Sequence, residues 1–277
     1  MIDNITVIIV SYKSKKTIFN CIKSIGHFNK ILILDNSNDK ELKKKLKNKY
    51  SKIKIFLSKK NSGYGAGYNF LLKKVKTPYA LLMTPDTSFK KGTLSKFLLS
   101  LKKLKNNFTL MGPYKQNKNF ALERKKTINE ARMILGFSML INIKNINKNN
   151  FFDENFFLYL EDIDLCRRLI NNNQKIYINK SFIIDHIGAK SSNIGKNEFD
   201  KIRNWHWMWS QYYFFKKYNG NFLALTKFFS KLISTSVKFI ILYLFQNENQ
   251  NRYKYRLKGL YSSMIGKKSY LRPKNIL

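Results

Sequence analysis

Ile5-Thr6-Val7-Ile8-Ile9-Val10 is followed along the chain by Lys30-Ile31-Leu32-Ile33-Leu34, Ile53-Lys54-Ile55-Phe56-Leu57 and Tyr79-Ala80-Leu81-Leu82-Met83. Each run has the length and near-continuous apolar character of a strand buried on both faces. Between them lie lysine-decorated stretches with helical spacing, over 15–25, 39–49, 64–76 and 93–105. This alternation predicts a mostly parallel sheet with helices on both sides, an α/β fold.

From Phe108 to Ile184 the pattern is less regular, with short strands expected at 108–111, 137–143 and 175–178 and a helix starting near Glu161. We read this part as an α+β half that completes the same domain. After Asn197 the chain reads as helical to Tyr218, and again over 222–245. The expected organisation is one α/β domain over 1–219 and a helical, amphipathic extension over 220–277.

Charge is the anomaly of the composition. The 277 residues carry 53 Lys and Arg against 16 Asp and Glu, a formal net charge of +37, which directs attention to anionic partners. Yet 45 of the basic residues are Lys and only 8 are Arg, whereas readers of phosphates and bases lean on the planar Arg fork. A basic nucleic-acid-binding protein is one reading, motivated by the aromatics interleaved with basic residues over 205–217. Against it, the lysines are spread over the whole chain and no binding motif is visible, so no nucleic acid is expected. Cys21 and Cys166 form no metal spacing, and Met1 to Val10 lacks a basic leader segment. Both observations point to a cytoplasmic protein.

Because acids are scarce, their positions are informative. Asp153, Glu154, Glu161, Asp162 and Asp164 fall within twelve residues, where even scatter of 16 acids over 277 positions would leave fewer than one. First-turn helix capping accounts for some of this, and Asp164 has Arg167 and Arg168 three and four residues on. Capping does not account for the apolar run Phe156-Phe157-Leu158-Tyr159-Leu160 just ahead, which is expected to lift Glu161 and Asp162 out of a buried segment into a cleft. A carboxylate at such a junction can be tuned as a general base. Asp35 and Asp86 follow the second and fourth strands, where the ligand crevice of an open α/β sheet lies, and Asp185-His186 follows Phe182-Ile183-Ile184 in a similar way.

The stretch Asn61-Ser62-Gly63-Tyr64-Gly65-Ala66-Gly67-Tyr68-Asn69 follows the third strand and opens a helix, which suits backbone approach to a phosphate or sugar. Tyr68 stands where the dinucleotide fingerprint needs its last Gly, and no Walker Lys-Ser/Thr pair follows. A dinucleotide-dependent dehydrogenase and a P-loop NTPase are both disfavoured.

Taken together, the motifs resemble family 2 glycosyltransferases. The N-terminal set is 7–12, 33–37, Asn61-x-Gly63-x-Gly65-x-Gly67-x-Asn69 and Thr84-Pro85-Asp86; the C-terminal set is 136–140, the string from Phe152 to Arg168, and His186-x-Gly188-x-x-Ser191. The last set is similar to the rhamnosyltransferase-like branch. The resemblance implies a GT-A fold, a Rossmann-like mixed sheet flanked by helices. It also implies inverting transfer of a sugar, rhamnose by analogy, from a nucleotide-diphosphate donor; the amphipathic 222–245 helix and the basic surface add the expectation of a saccharide or polyprenyl-linked acceptor, as in surface polysaccharide synthesis.

On the same resemblance, Ser11, Tyr12 and Asp35 contact the base and ribose, and Asn61, Gly63 and Asn69 shape the donor pocket. Asp86 and His186 hold a divalent metal, Mg or Mn, and Asp162 is the base with Glu161 as its neighbour and second choice. Thr84 stands where the D-x-D metal motif has its first acid, which motivates the alternative of a scaffold that has lost catalysis. In the 222–245 helix, Lys227, Lys231 and Lys238 share one face at about 100° per residue, with Phe228, Phe229, Leu232, Phe239 and Ile240 on the other. Such a helix suits an anionic bilayer surface, and equally a partner helix.

Overall fold

The computed structural model describes residues 1–104, 107–114, 126–146, 151–187, 192 and 194–273. The chain packs as two compact units: Met1–Asp153 with Asp162–Asn193, and Glu154–Glu161 with Ile194–Leu277.

In the first unit the expected alternation is present. Strands β1 (Ile5–Ser11), β2 (Ile31–Asp35), β3 (Ile53–Leu57) and β4 (Tyr79–Met83) are joined by helices α1 (Ile18–Ser24), α2 (Lys40–Lys49) and α3 (Tyr64–Leu72). These are followed by β5 (Thr87–Phe89), α4 (Leu94–Lys103), β6 (Leu110–Pro113), β7 (Ile128–Glu130), β8 (Ser138–Asn142), α5 (Glu161–Asn171), β9 (Ile176–Asn179) and β10 (Ile184–His186). Eight strands form one mixed sheet in the order β3-β2-β1-β4-β8-β6-β9-β7, and β10 pairs antiparallel with β5 in a second, two-stranded sheet. The first four strands are parallel, with Ser11 opposite Asp35 at the carboxyl ends of β1 and β2. Beyond β4 the direction changes, because β8 runs antiparallel to it.

Burial explains why these strands read as unbroken apolar runs. In β1, Ile5, Val7 and Ile9 belong to one apolar cluster, whereas Ile8 belongs to another with Leu34, Leu82 and Met139. Side chains alternate between the faces, so a strand covered on both sides has no polar face to show. The exception is Thr6, whose hydroxyl meets that of Thr77 at 2.7 Å and is thereby satisfied. Helix starts are similarly local: Asp39 caps α2 by accepting from the Leu42 N–H at 2.8 Å.

The second unit contains α6 (Lys196–Asn219), α7 (Asn221–Leu244) and α8 (Gln250–Met264). Met208, Tyr212, Ala224, Phe228 and Leu260 form its apolar cluster. Helix α6, grouped with the first domain on sequence, packs here with α7 and α8. Trp205, Trp209 and Tyr212 are buried, so these aromatics are core and not a stacking platform for bases. His206 is wholly buried between the Ser269 hydroxyl at 3.0 Å and the Leu271 carbonyl at 2.8 Å, and burial lowers its pKa to about 3. The segment before α5 also belongs to this unit. Tyr159 and Leu160 both take left-handed backbone angles, φ 73° and 68°, and are held by a Ser210 hydroxyl on the Leu158 carbonyl and by Trp207 against Tyr159.

Candidate active site

The carboxyl ends of β1 and β2 present a fully paired polar cluster. Asp35 is completely buried and its carboxylate accepts from the Ser11 hydroxyl at 2.8 Å, the Ser37 hydroxyl at 2.9 Å and the Asp39 N–H at 2.8 Å. Ser37 in turn accepts from the Lys13 N–H at 3.1 Å, so the two loops that follow the strands are tied together. Tyr12 lies in the first of these loops, its N–H donating to Ser14.

The glycine-rich turn joins the same region. Asn61 accepts from the Gly63 N–H at 3.0 Å, an Asx-type turn, and Gly63 takes φ 91°, open to glycine without strain. Asn36 donates to the Gly63 carbonyl at 3.2 Å. Asn69, one turn into α3, is committed elsewhere. Its amide donates to the Phe152 carbonyl at 2.8 Å and accepts from the Phe152 N–H at 3.0 Å, as a neighbouring strand would. Asn69 therefore fixes the start of the acid-rich string from a distance of 83 residues in sequence.

Asp86 has different surroundings. It is buried, yet its Oδ1 has no hydrogen-bond partner among the described residues, and its Oδ2 lies 3.4 Å from His186 Nε2. Strand pairing delivers that histidine, because β10 sets His186 opposite Thr87 in β5. The ring of His186 stacks on Phe137 at 4.6 Å. Burial pushes the Asp86 carboxyl upward, but the polar groups of His186 and Thr84 and the histidine's charge outweigh it and hold the group below its ordinary value. Thr84 is occupied by Phe137, with its N–H 3.0 Å and its hydroxyl 3.3 Å from the Phe137 carbonyl. The Gly188 and Ser191 positions of the histidine motif lie outside the described residues.

Asp162 meets the neighbouring residue of the same loop. Its Oδ2 accepts from the Gly136 N–H at 2.7 Å and its Oδ1 from the Ile163 N–H at 2.9 Å. A Cβ on residue 136 would fall 2.9 Å from the Tyr64 hydroxyl and 3.0 Å from Asp162 Oδ2, so a larger residue would have to displace one or both of these side chains. The Tyr64 hydroxyl donates to the Gly136 carbonyl. Burial raises the Asp162 pKa, with the donated N–H groups acting against it. Two consecutive residues, Gly136 and Phe137, thus hold Asp162 on one side and the Asp86–His186 pair on the other.

Glu161, the first residue of α5, is buried. Asp164 is wholly buried and bonds Arg168 at 2.8 Å, one turn on, and Arg168 also reaches the Phe151 carbonyl. Gly136, Tyr64 and Ser37 were not singled out as site residues on sequence. All three lie inside the motifs of the family resemblance, but nothing local says that the value of Gly136 is the closeness of an aspartate 26 positions away.

A divalent cation fits the Asp86 corner in one respect: a buried carboxylate oxygen left without a donor is a vacant hard ligand. No group of three or more His, Cys, Asp or Glu gathers among the described residues. That suits an ion whose remaining ligands come from substrate phosphates and water.

The comparisons with known proteins agree with this architecture. The chain is 23% identical over 259 residues to the low-salt glycan biosynthesis hexosyltransferase Agl10 of Haloferax volcanii, covering 84% of this chain and 79% of that protein. Mannosyltransferase PcManGT of Pyrobaculum calidifontis, solved in complex with GDP-Man and Mn2+, superposes with a TM-score of 0.60 at 10% identity over 94% of this chain and 87% of that one. GalNAc-T7, solved with UDP, GalNAc and Mn2+, gives a TM-score of 0.57 at 11% identity, covering 75% of this chain and half of the other. At such identities the structural likeness concerns the fold, which is GT-A. Residues 6–167, more than half of the sequence, match the model of glycosyl transferase family 2, and the chain belongs to that family.

Proposed function

We propose that this glycosyltransferase moves a hexosyl or deoxyhexosyl group, with inversion, from a nucleotide-diphosphate sugar to a hydroxyl of a saccharide or polyprenyl-linked acceptor. The observation that carries the reading is the two-residue loop Gly136-Phe137, which gathers Asp162, Asp86 and His186 at one end of the sheet.

In that reading Asp162 is the base. The acceptor oxygen forms its bond to the anomeric carbon as the bond to the diphosphate oxygen breaks. Asp162 takes the hydroxyl proton, and the bonding electrons leave with the nucleoside diphosphate. A raised pKa makes Asp162 a stronger base than a solvated carboxylate, and the Gly136 N–H keeps it oriented. Glu161 is its second choice. Asp86 and His186 hold a divalent metal, Mg or Mn, whose chemistry is to neutralise charge on the diphosphate. Ser11, Tyr12 and Asp35 serve the nucleoside end, Asp35 by fixing the loops of Ser11 and Ser37. Asn61, Gly63 and Asn69 shape the donor pocket. Relatives solved with GDP-Man and with UDP support a nucleotide-sugar donor.

The decisive experiment is a panel of UDP-, GDP- and dTDP-sugars assayed for donor hydrolysis and transfer with Mg2+, Mn2+ or chelator. Turnover of one donor that disappears in Asp162→Asn supports the reading. Equal turnover in wild type and variant removes Asp162 from the role.

A further inference from the structure

Helix α7 buries Ala224, Phe228 and Thr235 and leaves a second, apolar side bare. Phe222, Phe229, Ile233, Val237, Ile240 and Leu244 lie within an arc of about 80° at 100° per residue, and that arc is exposed along the whole helix. Phe222 is 77% exposed and Leu244 72%. Lys227, Lys231 and Lys238 lie on the other side of the helix, exposed, with their side chains reaching residues of the neighbouring helices. Lys227 sits over the Phe215 ring at 4.1 Å, Lys231 donates to Gln211 at 2.5 Å, and Lys238 lies over Tyr253 at 5.9 Å. The structure also divides the apolar set expected from sequence, since Phe228 is buried in the unit's core while Phe229 and Ile240 are exposed. A helix that already buries one side, through Ala224, Phe228 and Thr235, and leaves a second, apolar side bare needs another apolar medium to cover it.

We propose that this face docks in the plane of an anionic lipid bilayer. Charge selects that occupant over a second copy of the chain. Residues 194–277 carry 16 Lys and Arg against 3 Asp and Glu, so two copies would oppose like charges, whereas an anionic bilayer surface complements them. The stripe holds no charged residue, and over 24 residues the helix is about 36 Å long, enough for a continuous shallow contact. Among the described residues no helix is long and apolar enough to cross a membrane, so the geometry is that of lying on the surface. The inference deepens the proposed acceptor chemistry by naming the surface on which a lipid-linked acceptor would be met.

The experiment is flotation of the full chain with vesicles of phosphatidylcholine alone or with one-quarter phosphatidylglycerol, read without any substrate. It therefore stands or falls separately from turnover. Wild type is expected to float with the anionic vesicles and to be released by salt. F229E/I233E is expected to bind at least about tenfold more weakly. As a second measurement, Val237→Cys carrying a polarity-sensitive dye reports insertion by a blue shift. The label is selective because Cys21 and Cys166 are buried. Absence of flotation by wild type, or binding undiminished in F229E/I233E with no dye shift at 237, overturns the proposal. So does a wild-type dimer in sedimentation that F229E/I233E dissociates, because the occupant is then a second copy.

Discussion

Asp35 and Asp86 follow adjacent regions of the same parallel sheet, both are buried, and they are surrounded in opposite ways. Three donors converge on Asp35, and every one comes from the protein. Asp86 keeps one oxygen without a hydrogen-bond partner among the described residues and faces a histidine with the other. A buried carboxylate whose acceptor capacity is filled internally stabilises the loops around it. One left partly unfilled in a fully folded protein is a cost of about 1–3 kcal/mol that a ligand can relieve. The same contrast separates Asp164, paired with Arg168, from Asp162, which is raised in pKa and held only by N–H groups.

Substitutions can break the contrast, and the largest effect is expected at Asp162. Asp162→Asn should lower kcat by about 10²–10⁴ and recover at neutral pH the stability that the buried charge costs, less what is lost where the amide NH2 meets the Gly136 or the Ile163 N–H. The sign follows from the raised folded-state pKa. The ionised carboxylate counts against the fold as pH rises from the unfolded value through the folded one, and the amide removes that cost. Asp86→Asn should lower turnover about a hundredfold and raise the metal concentration needed for half-maximal activity, with some loss of stability at neutral pH because the folded state holds this carboxyl below its ordinary value. Equal thermal destabilisation by Asp86→Asn and Asp35→Asn would erase the distinction.

Asp35→Ala should cost about 1–3 kcal/mol of stability, measured by denaturant unfolding, because Ser11, Ser37 and the Asp39 N–H lose their common acceptor. Gly136→Ala should reduce kcat about tenfold with little change in KM for the donor, because the added methyl displaces Asp162 rather than the nucleoside end. The smallest effect is one of shape. The acidic limb of kcat/KM should fall at a higher pH than the ordinary carboxylate value of about 3.9, and vanish in Asp162→Asn.

Much of this contrast is invisible in the sequence, for a physical reason. Strands β1 to β4 are legible to within a residue or two because double-sided burial demands continuous apolar runs, and α6 and α7 because long helices carry strong periodicity. The two-stranded β5–β10 sheet is missed because three-residue strands have no period to read, yet it is what brings His186 to Asp86. Helix α8 falls inside the extension read as helical over 220–277, but its bounds are not legible because its polar composition hides a packing face around Gly259 and Leu260. Asp35 and Asp86 look alike as acids at strand ends. Only the fold shows that the first is surrounded by serines and the second by little besides a histidine. The lysine face of α7 is likewise legible as a face, but which apolar residues are buried, Phe228, and which left bare, Phe229 and Ile240, is a property of packing.

The left-handed pair Tyr159-Leu160 is a place where the fold gives up stability. Two consecutive L-residues with positive φ cost roughly 2–4 kcal/mol together, a substantial share of the about 5–15 kcal/mol that keeps a typical domain folded. The chain tolerates them because Ser210 and Trp207 hold the turn from α6. Asparagine adopts that backbone more readily than leucine, so this turn, one residue ahead of the helix that bears Asp162, is where thermal headroom can be gained without touching the core.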